Sequence, residues 1–130
     1  MVIGAHYDHL GLGNESSLAP SQIGQVHAGA DDNASGVAVL VALARQCQKT
    51  PWTHDVVFVA FDAEEMGLQG ARAFVKALPV PKDRTIALNI NLDMVARGDK
   101  NELYIAGTAQ RAHAALTPET RAFLAAYVAG

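Results

Sequence analysis

The run Val56-Val57-Phe58-Val59-Ala60-Phe61-Asp62-Ala63-Glu64-Glu65 decides how this chain folds. An unbroken β-branched and aromatic segment is what a parallel strand covered on both faces looks like, and here carboxylates follow directly at its C-terminal end. Two other stretches share the design: Val2-Ile3-Gly4-Ala5-His6-Tyr7-Asp8 and Ile86-Ala87-Leu88-Asn89-Ile90-Asn91-Leu92-Asp93. In open α/β sheets ligands bind outside the carboxyl ends of the strands, so three strands ending this way converge on one site. A fourth cluster, Gly29-Ala30-Asp31-Asp32-Asn33-Ala34-Ser35-Gly36, stands just before a strongly helical run. Imidazole and carboxylates gathered in this manner suit a hydrolytic metal site.

Working outward, the pattern predicts a strand at 1–5, a polar loop at 10–28 and a helix from 33 or 34 to about 49, with apolar residues at Val37, Leu40, Val41 and Ala44. Thr50-Pro51 ends that helix, because proline cannot continue it and disfavours helix in the residue before it. A strand at 55–61, a helix at 68–78 stopped by Pro79 and Pro81, and a strand at 85–92 follow. A short strand at 102–106 comes next. Thr117-Pro118-Glu119 then opens a last helix to about 128, with a capping residue, proline at the first helical position and an early acid. Strand and helix alternate, which means an α/β fold: a doubly wound, mostly parallel sheet with helices on both faces.

Composition bounds the partners. With 130 residues, half of them apolar, the chain can bury one core, so a single domain is expected. Lys plus Arg number 10 against 13 Asp plus Glu, with no basic run, which argues against nucleic acid. The longest apolar stretch, residues 37–44, is too short to span a membrane. One cysteine, Cys47, excludes an internal disulfide; at helical spacing it shares the face of Leu40 and Leu43 and reads as a small core residue.

Each candidate ligand carries its own logic. His6 and Asp8 are two apart at a strand end and point to one side, so imidazole can bind a metal while the carboxylate fixes its tautomer; a chance histidine in a surface loop is the plainer alternative. Asp31 and Asp32 precede a helix, where capping alone would also account for them, and only one of the two can face a shared site. Glu64 and Glu65 are adjacent, so their side chains diverge: one can ligate a metal while the other accepts a proton from water. Two glutamates complementing a helix dipole are the alternative there. Asp93 ends an apolar strand, and a buried carboxylate requires a partner.

Gly4-Ala5-His6-Tyr7-Asp8-His9, residues 29–36, Ala63-Glu64-Glu65-Met66-Gly67-Leu68-Gln69-Gly70 and Asn91-Leu92-Asp93-Met94 together resemble the four signature segments of the dizinc aminopeptidases, relatives of bacterial secreted aminopeptidases and glutamate carboxypeptidases. They occur in family order over roughly residues 1–98. The resemblance implies a zinc-dependent exopeptidase acting on peptides through a two-zinc site. It implies His6 and Asp93 on the first zinc, Asp32 bridging, Glu65 on the second, Glu64 as general base and Asp8 orienting His6. It also implies a cis peptide between Asp32 and Asn33, and a secreted or periplasmic location.

One departure stands out. Members carry a second ligand histidine much later, and His113 lies in surroundings that do not match it, while His9, His27 and His54 read as loop or surface residues. The second zinc site therefore lacks a histidine ligand, and the first should bind more tightly. The chain reads as the front half of a catalytic domain, with an exposed sheet edge that favours self-association. Two other functions stay open: a peptidase-like remnant serving as a binding or structural module, and a zinc acyltransferase resembling glutaminyl cyclase.

Overall fold

A computed structural model describes residues 1–98 apart from 16, 18, 50 and 79–82. The strand expected at 102–106, the helix at 117–128 and His113 lie outside the described residues. Five main elements are described: β1 (Val2–His6), α1 (Gly36–Cys47), β2 (Val57–Phe61), α2 (Gln69–Ala77) and β3 (Asn89–Asn91). A 3-10 turn at Pro20–Gln22 interrupts the long loop after β1. The strands form a parallel sheet in the order β2-β1-β3, the α/β arrangement that the alternating sequence predicts. All of these elements belong to one unit, Met1–Arg97. No helix among the described residues is long and apolar enough to cross a membrane.

β1 lies in the middle, and all five of its residues are buried. Its side chains alternate between the two faces. Ile3 and Ala5 pack with Leu40 of α1, and Val37, Phe58, Ile90 and Leu92 close the cluster. Val2, Gly4 and His6 face the other way, towards α2. Gly4 is bare for a reason: Phe61, on the neighbouring strand, lies across it, and a Cβ there would stand 2.5 Å from the ring. Phe61 then meets Phe74 of α2 edge to face, with ring centres 5.6 Å apart.

β2 departs from the doubly covered strand that its composition suggested. It is an outer strand among those described, and its residues are half-buried or exposed. β3 spans three residues where eight were expected. Asn89 and Asn91 share an exposed face, so Ile90 alone turns inward, although Val2 N–H to Leu88 C=O and Leu92 N–H to Gly4 C=O carry the pairing further. Cys47 is half-buried rather than part of the core.

α1 begins later than its apolar periodicity suggested, because residues 30–35 form a wide, kinked turn. Asp32 (φ −104, ψ 92) and Asn33 (φ −134, ψ 39) are not helical, and the Asp32–Asn33 peptide is cis. Asn33 is 1% exposed. Its Oδ1 accepts from the N–H of Gly36 (3.1 Å) and of Met94 (3.2 Å), and its Nδ2 donates to the carbonyl of Leu92 (2.9 Å). Gly36 must be bare, since a Cβ would stand 2.4 Å from Asn33 Oδ1 and 2.5 Å from the Leu92 carbonyl. Ser35 and Asp31 extend the seam: Ser35 Oγ accepts from Val95 N–H at 3.1 Å, and Asp31 Oδ1 from Ala96 N–H at 3.1 Å. Asp31 is thus engaged with the segment after β3, away from the histidines.

A buried backbone group left without a partner costs about 1–3 kcal/mol. Asn33→Ala is therefore expected to lower the stability of this unit by about 3 kcal/mol, and Gly36→Ala to lower it through overpacking. Val26→Ala, at a position 80% exposed, should change it by no more than about 0.5 kcal/mol. Urea denaturation reads all three. An Asn33→Ala midpoint equal to that of the parent protein would show that the seam does not hold the helix start.

Candidate metal centre

His6 is the last residue of β1 and is 3% exposed. Its Nδ1 donates to the main-chain carbonyl of Asp8 at 3.1 Å, which turns Nε2 towards the carboxylates at the sheet edge. Nε2 lies 3.1 Å from Asp32 Oδ1 and 3.4 Å from Asp93 Oδ1. Asp32 comes from the turn before α1, and Asp93 from two residues past β3. The structure thus brings three side chains from three segments to one point, their donor atoms all within 4.8 Å of one another. Asp93 is not buried, contrary to its setting at the end of an apolar strand: its side chain is 42% exposed.

Asp8 stands beside His6, as its spacing suggests, and has further partners. Its carboxylate is 3.6 Å from His6 Nδ1, while its two oxygens accept the N–H groups of Glu64 (2.9 Å) and Glu65 (3.1 Å). The main chain of Asp8 sets the ring of His6, and the side chain of Asp8 sets the loop after β2. That loop is a tight one. Ala63 has φ 53, Asp62 Oδ1 accepts its N–H, and the Gly70 N–H bonds the Asp62 carbonyl, so α2 starts hard against the strand end. Only glycine fits at 70, where a Cβ would lie 2.3 Å from the Asp62 carbonyl oxygen.

The two glutamates point apart. Glu65 Oε1 lies 3.0 Å from His9 Nδ1, and that nitrogen is 3.8 Å from Asp32 Oδ2. His9, Asp32 and Glu65 form a second group of donors with the same 4.8 Å limit. The carboxylate of Asp32 is thus divided, Oδ1 towards the first group and Oδ2 towards the second. Glu64 belongs to neither group and lines, with His6, Phe61 and Phe74, a cavity of about 330 Å³ beneath α2. His9 is the site residue that the sequence hid: it sits in a glycine-rich loop, and nothing in the spacing joins it to Glu65.

The electrostatics follow from crowding. Burial opposes the charge on His6, but Asp93, Glu64, the Asp8 carbonyl and Asp32 outweigh it, and the pKa stands above the ordinary value. Burial pushes the Glu64 carboxyl up; His6 opposes this, while Glu65, Asp93 and Asp8 add to it. Among the described residues these carboxylates pair with histidines and with no lysine or arginine. Among the described residues, two of the three non-glycine positions with positive φ flank the site, Ala63 beside Glu64 and Met94 beside Asp93. Such backbone is uncommon outside glycine and clusters at functional sites.

Residues 1–129 match the profile of Peptidase family M28. Aminopeptidase YwaD of Bacillus subtilis (strain 168) is 38% identical over 79 residues, 59% of this chain and 17% of that protein. The alkaline phosphatase isozyme conversion protein of Escherichia coli (strain K12) is 33% identical over 100 residues, 77% and 29%. The probable lipoprotein aminopeptidase LpqL of Mycobacterium tuberculosis (strain ATCC 25618 / H37Rv) is 42% identical over 69 residues, 52% and 14%. The chain thus spans less than a third of the length of each of these relatives. No solved structure matches it. With a profile that covers nearly its whole length and a parallel sheet that gathers the four acidic motifs at one edge, the chain belongs to peptidase family M28.

Proposed function

We propose that this chain carries the first part of the active site of a zinc-dependent exopeptidase, an aminopeptidase that removes N-terminal residues from peptides through two metals. The observation that carries this reading is the divided carboxylate of Asp32, which addresses one donor group with each oxygen while Glu64 stays out of both. The donors suit zinc: imidazole nitrogen and carboxylate oxygen in sets of three, with a position left for water or substrate. A crowd of carboxylates paired only with histidines also gains from a divalent cation.

His6, Asp32 and Asp93 would hold the first zinc, and Asp32 with Glu65 the second. When bound, zinc supplies Lewis acidity to the scissile carbonyl and to the attacking water. Glu64 takes the proton of that water and delivers it to the leaving amine. A raised pKa suits this, because a base works best when its affinity for the proton approaches neutrality. Asp8 keeps Glu64 in place through the Glu64 and Glu65 amides, and its carbonyl fixes the His6 tautomer. The apolar cavity beside Glu64 and His6 is where a substrate side chain would rest. An exported location goes with this reading; one relative is by name a probable lipoprotein.

In the purified protein, Glu64→Gln is expected to lower kcat by about 10²–10⁴-fold, the worth of a positioned general base, with metal content unchanged. Glu65→Gln should instead lose metal, read by elemental analysis after gel filtration. Loss of metal from the first variant and retention in the second would reverse the two roles.

Removing metal with a chelator should abolish release of N-terminal amino acids, and added zinc should restore it. Zinc should also raise the denaturation midpoint, since a ligand at 100 times its Kd stabilises the folded state by about 2.7 kcal/mol. Cyclisation of an N-terminal glutamine without release of an amino acid would replace this reading with the acyltransferase one. Failure to bind zinc at all would leave a peptidase-like remnant.

Asp8→Ala strips an acceptor from two amides at once. It is expected to cost about 3 kcal/mol of stability, at about 1.5–3 kcal/mol for each hydrogen bond to a charged group, and to reduce kcat more than it changes KM. Thermal melts and steady-state kinetics read both effects, and an unchanged melt would show that the carboxylate does not hold the loop.

A further inference from the structure

We infer that Asp62 is a positioning residue for Glu64, held in place by the hydroxyl of Tyr7, and that the two together keep the loop after β2 in the left-handed turn that aims the general base. The inference rests on the reading of Glu64 as that base and adds two residues to it. Asp62 and Tyr7 belong to neither donor group, and both are exposed, Tyr7 to 57%, so neither is there to fill the core.

Three consecutive amides lead into the site, those of Ala63, Glu64 and Glu65, and each donates to a carboxylate. Glu64 and Glu65 donate to Asp8 at 2.9 and 3.1 Å, and Ala63 donates to Asp62 Oδ1 at 2.9 Å. The residue next to Asp8 closes the ring: the N–H of Tyr7 donates to the Phe61 carbonyl at 2.9 Å, and its hydroxyl donates to the side chain of Asp62. That bond, some desolvation and the charges of Asp62 and Asp8 hold the phenol above its ordinary pKa, so the proton stays on Tyr7. Tyr7 and Asp8, adjacent in the chain, thus grip one loop at two points. What they hold is a costly conformation. Ala63 stands at φ 53, a region that residues with a Cβ avoid, and from there the chain turns at once towards α2: the Ala63 carbonyl accepts from Gln69 N–H, and the Glu64 carbonyl from those of Gly67 and Leu68. An exposed aspartate left to itself would turn to water. Anchored by Tyr7, its carboxylate stays on the Ala63 amide.

The test uses the purified protein, with zinc for the release of N-terminal amino acids and without metal for amide hydrogen exchange. Tyr7→Phe removes only the hydroxyl and is expected to lower kcat by about 2–10-fold, the worth of one net hydrogen bond, with KM unchanged. Asp62→Ala also strips the acceptor of the Ala63 amide and should lower kcat by about 10–100-fold. Asp62→Asn keeps an acceptor in the same place and should stay within about threefold of the parent. Ala63→Gly separates positioning from a general loss of packing: glycine takes a positive φ without cost, so adding it to Tyr7→Phe should bring kcat back towards the parent. Exchange reads the same clasp whether or not the chain turns over. In Tyr7→Phe the amides of residues 63–65 should exchange about 2–10-fold faster while those of β1 keep their parent rates, which also checks that the variant folds. Parent exchange rates at 63–65 in both Tyr7→Phe and Asp62→Ala, Asp62→Asn no better than Asp62→Ala, or no rescue by Ala63→Gly would each overturn the inference. With Glu64→Gln inactive, the reading of Glu64 as base would still stand. Full activity of Glu64→Gln would overturn both.

Discussion

The amide of Asn33 is the contact on which the site depends. It is buried, and its carboxamide makes three bonds to main-chain groups: the first turn of α1 at Gly36, and Leu92 and Met94 on either side of Asp93. Asp32 is its neighbour in the chain. One side chain therefore fixes the distance between two acids that are 61 positions apart in sequence. The residue must both donate and accept, and it must be neutral, because a further carboxylate beside Asp32 and Asp93 would add like charge where there is already too much. Leucine of similar size would leave the Leu92 carbonyl and two N–H groups buried without partners.

The rest of the architecture manages that charge. Asp8 spends its carboxylate on two amides, so its charge is balanced by dipoles rather than by a cation. Asp31 gives one oxygen to the Ala96 amide. Asp93 stays partly in water, and the histidines take what remains. Glu64 alone is left in a pocket with apolar neighbours, and its raised pKa is the electrostatic cost that the fold leaves uncompensated. Functional sites commonly break the local rules that the rest of a chain obeys.

Much of this scaffold is legible in the residues. β1 and β2 are announced by apolar runs, α1 by Val37, Leu40 and Val41, and the edge where they end by His6, Glu64 and Glu65. What escapes the sequence is governed by side-chain hydrogen bonds and by loops. The helix at 33 or 34 starts at Gly36 instead because the backbone of Asp32 and Asn33 is not helical and the Asn33 amide ties the helix start at Gly36 to Leu92 and Met94 beyond β3. The strand at 85–92 shrinks to Asn89–Asn91, although hydrogen bonds at Leu88 and Leu92 carry its pairing further. Asp8 is a neighbour of His6 by spacing and in space, but its bonds to the amides after β2 are not legible from that spacing. His9 could not be read at all: its approach to Glu65 depends on how the chain turns after β1 and on a glycine twenty positions away.

β1 also has a temporal consequence. It is the first of the described strands to leave the ribosome, yet it occupies the centre of the sheet, and its partners begin at Val57 and Asn89. Until those segments are synthesised, Val2, Ile3 and Ala5 have no sheet to join. Pairings between positions so distant in sequence close slowly, and an apolar strand that waits for them is open to other chains. The donors at positions 6 and 93 meet only when nearly all of this unit has been made.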